Sequence, residues 1–278
     1  MSTSTPHGLT NFQTMQHLRQ LDVLGQSLEV LSIAGDAALP PIVFLHEGLG
    51  SVAMWRNFPA QVCAATGRAG LVYSRAGYGQ SSHATQPLPP TYMHYQAWDV
   101  LPDLLAQLGI ERPILLGHSD GATIALLYAS RFNSAACIAM APHLFVEDIS
   151  LRSIAAARIA FETTDLRSKL TKFHRDVDGA FWQWNNVWLS SAFGSFNITA
   201  DCQRITCPLL AMQGVDDVYG TMAQIDALGP DFYMPNDASR PQNLLKQLLK
   251  LEHCGHSPYR DQAAKVIAAV VDFLNVVH

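Results

Sequence analysis

The stretch Pro113-Ile114-Leu115-Leu116-Gly117-His118-Ser119-Asp120-Gly121-Ala122 decides how the rest of the chain is read. Pro113 to Gly117 has the makeup of a buried strand, and Ala122 to Phe132 has that of a helix. Between them lies Gly-x-Ser-x-Gly, a pattern that gains meaning only when a strand precedes it and a helix follows. Its glycines permit a strained turn that lifts Ser119 clear of a sheet. The helix start then places backbone N–H groups beside that serine. The plainer reading makes Ser119 or Asp120 an N-cap of the helix.

Working outward, further short apolar runs stand at Pro41 to His46, Gly70 to Ser74, Ala136 to Met140 and Pro208 to Gln213. Helix-like stretches separate most of them. Tyr92 to Leu108 places Leu101, Leu104, Leu105 and Leu108 at helical spacing, and Asp261 to Val277 behaves similarly. Near-continuous apolar strands alternating with helices indicate an α/β fold, a mostly parallel central sheet with helices on both faces. Leu28 to Ile33 reads as an antiparallel strand leading into that sheet. Residues 146–205 break the alternation, since a simple crossover needs far fewer residues. Helical pieces are expected there at Ile149 to Thr163, Leu166 to His174 and Ala180 to Leu189. The same region carries Phe181, Trp182, Trp184 and Trp188. The expected organisation is one core, 1–145 and 206–278, with a helical cap inserted at 146–205.

Composition excludes several other classes. The chain has 278 residues, 49% of them hydrophobic and 15% charged, with a net charge of −5. Its size suffices for a full core, burying roughly 73% of the extended surface. Disorder is excluded as the main state, and a basic footprint for nucleic acid is absent. The longest apolar run, Ala37 to Leu45, is nine residues and contains two prolines, far short of the ~20 a spanning helix needs. Met1 to Thr10 lacks the apolar core of a signal peptide. Five scattered cysteines do not form a disulfide framework, and reduced thiols in a cytoplasm are the simplest reading.

A nucleophilic serine needs a base, and the base needs an orienting acid. Gln213-Gly214-Val215-Asp216-Asp217 follows a strand and offers the acid. His253-Cys254-Gly255-His256-Ser257-Pro258 precedes the last helix and offers the base. These motifs together resemble the α/β-hydrolase superfamily in its capped serine branch, over residues 28–278. The resemblance implies Ser119, Asp217 and His256 as a catalytic triad, with the acid counted three residues after Gly214 and the base taken from Gly255-His256. Asp216 competes for the acid, and Asp148 or Glu147 would suit a second family position. His253 and His256 could form half of a metal site, but no third ligand has suitable spacing. His118 is expected to pack beside the serine.

Leu45-His46-Glu47-Gly48-Leu49-Gly50-Ser51 resembles the family's His-Gly loop, with Glu47 intervening between His46 and Gly48. The resemblance implies an oxyanion hole from the N–H groups of Leu49 and Asp120, with Gly48 as the alternative first donor. Glu47 is either a surface carboxylate or a pocket residue that disfavours anions. Tyr73-Ser74-Arg75-Ala76-Gly77-Tyr78-Gly79-Gln80-Ser81 resembles another family stretch, with Ser74 in place of an aspartate and Arg75 as a structural tether. It is not a phosphate-binding loop.

The expected chemistry is hydrolysis of a small ester or thioester through an acyl-serine, with no cofactor and no metal. Cleavage of a carbon–carbon bond in an aromatic ring-fission product is the enzymatic alternative. A ligand-binding module on the same fold is the non-catalytic one. Gly48, Trp184 and Trp188 are candidates for the substrate pocket, although Phe181, Trp184 and Trp188 also share one helix face, as core residues would. Arg56 could recognise one carboxylate. The partner expected is a small molecule with an acyl group, with neither nucleic acid nor membrane. Oligomeric state is not legible.

Overall fold

The computed structural model describes residues 15–84, 86–229 and 245–277. The Met1 to Thr10 stretch, read above for a leader peptide, lies outside the described residues. Eight strands form one sheet: β1 (Gln16–Val23), β2 (Gln26–Ile33), β3 (Ile42–Leu45), β4 (Gly70–Tyr73), β5 (Ile114–His118), β6 (Ala136–Met140), β7 (Leu209–Gly214) and β8 (Lys246–Leu251). Their spatial order is β1-β2-β4-β3-β5-β6-β7-β8. Strands β3 to β8 run parallel, while β1 and β2 pair antiparallel at one edge.

Successive residues of a strand face opposite sides of a sheet, and the core divides accordingly. Ile42 and Phe44 of β3, with Ile114 and Leu116 of β5, pack into one layer against the helices Phe58–Thr66 and Ala263–Asn275. Val43, Leu45 and Leu115 face the other layer, filled by the helices Leu101–Gln107 and Asp120–Ala129. Every residue of β3, β4, β5, β6 and β7 is buried. These strands leave almost no position for a charge, which accounts for much of the low charge content.

Three features depart from the sequence reading. The expected single antiparallel strand is half of a hairpin, β1–β2. Its two-residue turn, Leu24-Gly25, takes left-handed φ values of 52° and 74°, but lacks the Asn-Gly or Asp-Gly that signals such turns. β8, Lys-Gln-Leu-Leu-Lys-Leu, has no β-branched residue to mark it. The expected helix from Tyr92 widens to a π-turn over Gln96–Val100 before Leu101–Gln107. The Leu101 N–H reaches back to the carbonyl of Gln96, and Pro102, which has no N–H for the carbonyl of Trp98, follows directly.

Residues between β6 and β7 form the helices Asp148–Thr163, Leu166–Leu170, Val177–Trp188 and Thr199–Cys202. Phe161 stacks on Phe181 at 3.8 Å between ring centroids, joining two of them. A bridge between Phe145 and Asn197 draws together the chain entering and leaving this region. Because β3 and β5 to β8 are parallel, the loops after them gather at one edge of the sheet, where α/β folds place their ligands.

Candidate active site

Ser119 sits at the junction of β5 and the following helix with φ 52° and ψ −121°. That left-handed conformation is costly for a residue with a side chain. The flanking glycines make the turn feasible. A Cβ on Gly121 would lie 2.0 Å from the carbonyl oxygen of Leu45, and one on Gly117 would lie 2.2 Å from that of Gly121. Ser119 holds the N-cap position of this helix, but its side chain makes no cap bond there and is left to other contacts.

His256 Nε2 lies 2.9 Å from Ser119 Oγ, and His256 Nδ1 lies 2.9 Å and 3.0 Å from the two carboxylate oxygens of Asp217. A carboxylate only accepts hydrogen bonds. Nδ1 therefore carries the proton, and Nε2 turns its lone pair to the serine hydroxyl. Asp217 is held in turn by the N–H of Tyr219 at 2.7 Å and the amide of Gln213 at 2.7 Å. Burial alone would raise the Asp217 carboxyl, but His256 and the Tyr219 N–H outweigh it and keep it below the usual aspartate value. Asp216 is exposed, as is Asp148. Glu147 accepts from Thr221 and Gln224 instead.

The loop after β3 carries the other half of the site. The N–H groups of Gly48, Leu49 and Asp120 donate to no protein acceptor among the described residues. All three residues line a cavity of about 130 Å³ with Ser119, His256, Glu47, His118, Trp184 and Trp188. Glu47 thus borders the cavity. Its carboxylate lies 3.4 Å from His118 Nδ1, and the pair keeps it ionised, with a pKa of about 2 despite burial. His118 Nε2 donates to the carbonyl of His256 at 2.6 Å, so His118 supports the base loop from beneath. Arg75 donates to the carbonyls of His46 and Glu47 at 2.6 and 2.9 Å, a tether to the loop. Ser74 donates to the Glu29 carboxylate at 2.6 Å, so an acidic group is present there, supplied by β2.

Trp184 and Trp188 are buried and also line the cavity. The Trp184 indole occupies the space beside Gly48, where a Cβ would lie 2.2 Å from its Nε1. Trp188 Nε1 donates to Tyr92 Oη at 3.1 Å, and Tyr92 donates to Asp120 at 2.6 Å. Phe181 belongs to the core. Arg56 lines a separate depression with Phe58 and Tyr259. Four residues around the site were not singled out from sequence. They are Gln213 beneath Asp217, Tyr219 with its ring 4.8 Å from that of His256, Ile154 in the cavity wall, and His143. The His143 ring lies 5.6 Å from that of His256, and burial pushes its pKa down to about 3. It stays neutral and does not compete with a cation on His256.

The profile of the alpha/beta hydrolase family matches residues 42–270. The chain belongs to that family. This alpha/beta hydrolase is similar to the sn-1-specific diacylglycerol lipase ABHD11 of Mus musculus, 37% identical over 95 residues, covering 34% of this chain and 29% of the relative. It is also similar to the Danio rerio protein of the same name, 28% identical over 161 residues, covering 58% and 46%. The chain thus aligns with less than half the length of these curated relatives. Among solved structures, the enol-lactonase from Burkholderia xenovorans LB400 superposes with a TM-score of 0.70 at 19% identity, covering 92% of this hydrolase and all of that chain. That likeness concerns the fold. Among the described residues of the hydrolase, no helix is long and apolar enough to cross a membrane.

Proposed function

We propose that this alpha/beta hydrolase is a serine esterase or thioesterase for compact, uncharged acyl groups. The observation that carries the reading is the continuous chain of contacts from Ser119 Oγ through His256 to Asp217, each near 2.9 Å. Ser119 attacks the acyl carbonyl as His256 Nε2 takes its proton. Asp217 holds the tautomer and stabilises the imidazolium. The free N–H groups of Leu49 and Asp120 receive the developing oxyanion. The protonated His256 then delivers its proton to the leaving oxygen or sulfur, and the acyl-serine is hydrolysed by water that His256 deprotonates.

In this reading, helices 146–205 act as a cap, and Gly48, Trp184 and Trp188 bound the acyl pocket. The cavity of about 130 Å³ is slightly smaller than the ~150 Å³ apolar cavity that takes up benzene, so acyl groups of about six heavy atoms fit best. The Glu47 carboxylate is in its wall and no lysine or arginine is, among the described residues, which disfavours acyl groups bearing a second carboxylate. The lipase name of the curated relatives agrees with an ester as the scissile bond.

The aromatic wall of Trp184, Trp188 and Tyr219 favours one alternative, cleavage of a carbon–carbon bond in a planar ring-fission product. Rates on p-nitrophenyl acetate, butyrate and octanoate, set against a vinylogous diketone, test both readings. The expected order is acetate and butyrate well above octanoate, with the diketone inert. Turnover of the diketone alone would replace the esterase reading.

A further inference from the structure

Three carbonyls of the loop after β3 are held by side chains. Arg75 takes those of His46 and Glu47, and His46 Nδ1 donates to the Glu47 carbonyl at 2.7 Å. These clamps come from the sheet half of the molecule. The remaining clamp comes from the helical region between β6 and β7. His174 Nε2 donates to the carbonyl of Leu49 at 2.9 Å, and its Nδ1 accepts the N–H of Gly79 at 3.1 Å. Both ring nitrogens are therefore engaged, in one tautomer, on a side chain that is 3% exposed. The ring also packs edge-on against Tyr78, which packs edge-on against His46.

We propose that His174 is a positioning residue for the oxyanion hole. By fixing the Leu49 carbonyl, it limits rotation of the Leu49 backbone and so steadies the adjoining peptide, whose Leu49 N–H meets the tetrahedral oxygen. The helical region then completes the hydrolytic machinery as well as covering it. This rests on the serine-hydrolase reading above. The N–H of Leu49 is called upon as negative charge develops, so its misplacement slows the chemical step more than it weakens substrate binding.

The test compares His174→Phe, which keeps a ring against Tyr78 and loses both hydrogen bonds, with His174→Gln, whose amide both donates and accepts. Steady-state hydrolysis of p-nitrophenyl acetate is measured beside inhibition by a trifluoromethyl ketone, which forms a tetrahedral oxyanion on the serine. His174→Phe should lower kcat by about 10- to 100-fold, weaken the ketone by a similar factor, and leave KM within about two-fold. His174→Gln should recover most of both losses. Unchanged kcat and ketone affinity, a loss confined to KM, or equal losses in both variants would overturn the proposal. If His174→Phe does not fold, nitrogen-15 chemical shifts of His174 in the wild type decide. An Nε2–H tautomer supports the proposal, and an Nδ1–H tautomer refutes it. Failure of the hydrolase reading itself is distinguishable, because the wild type would then neither turn over the ester nor bind the ketone.

Discussion

The strand-end loops of the sheet and the helices of residues 146–205 meet at the same cavity, but different interactions hold them. Ser119, Asp217 and His256 follow strands locked in parallel register, and backbone bonds extend that register into the loops. Ser119 N–H donates to Met140, and Asp216 N–H donates to Cys254. At the cavity wall the helical region approaches through side chains, Trp184 against Gly48, Trp188 through Tyr92 to Asp120 and His174 on the Leu49 carbonyl, while one backbone bond, from the Arg175 N–H to the Gly79 carbonyl at 2.9 Å, holds it beside that wall. Backbone register places the reacting groups closely, whereas side-chain contacts leave the wall adjustable by single substitutions. In the proposed function, chemistry therefore belongs to the sheet, and selection and fine placement belong to the helices.

Substitutions on the two sides should separate by magnitude. Ser119→Ala should lower kcat by about 10⁶-fold with thermal stability near that of the wild type. Residual activity within ten-fold of wild type would break the division. Asp217→Asn, which leaves shape but reverses the favoured tautomer of His256, should cost about 10⁴-fold. Gly48→Ala crosses the boundary, since its methyl collides with Trp184. A loss of about 100-fold is expected, and adding Trp184→Ala should restore part of it. No restoration would place the damage in the loop alone. On the helical side, Trp188→Phe loses one hydrogen bond and should cost about 1 kcal/mol of stability and less than ten-fold in kcat.

Acid should act on the same boundary. His143 has its folded pKa lowered to about 3, against ~6.5 unfolded. Between those values the unfolded chain binds a proton that the folded chain refuses, so stability falls as pH drops from about 6.5 toward 3. His46 and His174, also lowered by burial, act in the same direction. Urea unfolding at pH 7 and pH 5 should show this loss, and His143→Gln should reduce the slope by up to about 1.4 kcal/mol per pH unit. An unchanged slope would show that His143 is not buried neutral.

The parallel sheet and the Ser119 turn were legible because each rests on local pattern, an apolar run followed by glycines at fixed spacing. The β1–β2 hairpin was half legible, since β1 is largely exposed and its Leu24-Gly25 turn lacks the usual residues. Gln213, His143, Tyr219 and His174 were not legible as site residues. His143, Tyr219 and His174 pack against residues of other elements, and Gln213 reaches Asp217 four positions on through a loop conformation that no spacing marks. His174 meets Gly79 and Leu49 across 95 and 125 positions, a distance no local spacing encodes. Glu29 shows the same limit, because its carboxylate reaches Ser74 from a neighbouring strand 45 positions earlier.

The central claim is that the sheet edge makes Ser119 a nucleophile. Labelling the folded protein with a fluorophosphonate, followed by peptide mapping, tests it most directly. The account predicts one modified residue, Ser119, with labelling lost in His256→Ala although the serine remains. Labelling at another residue, or none in folded wild-type protein, would contradict it.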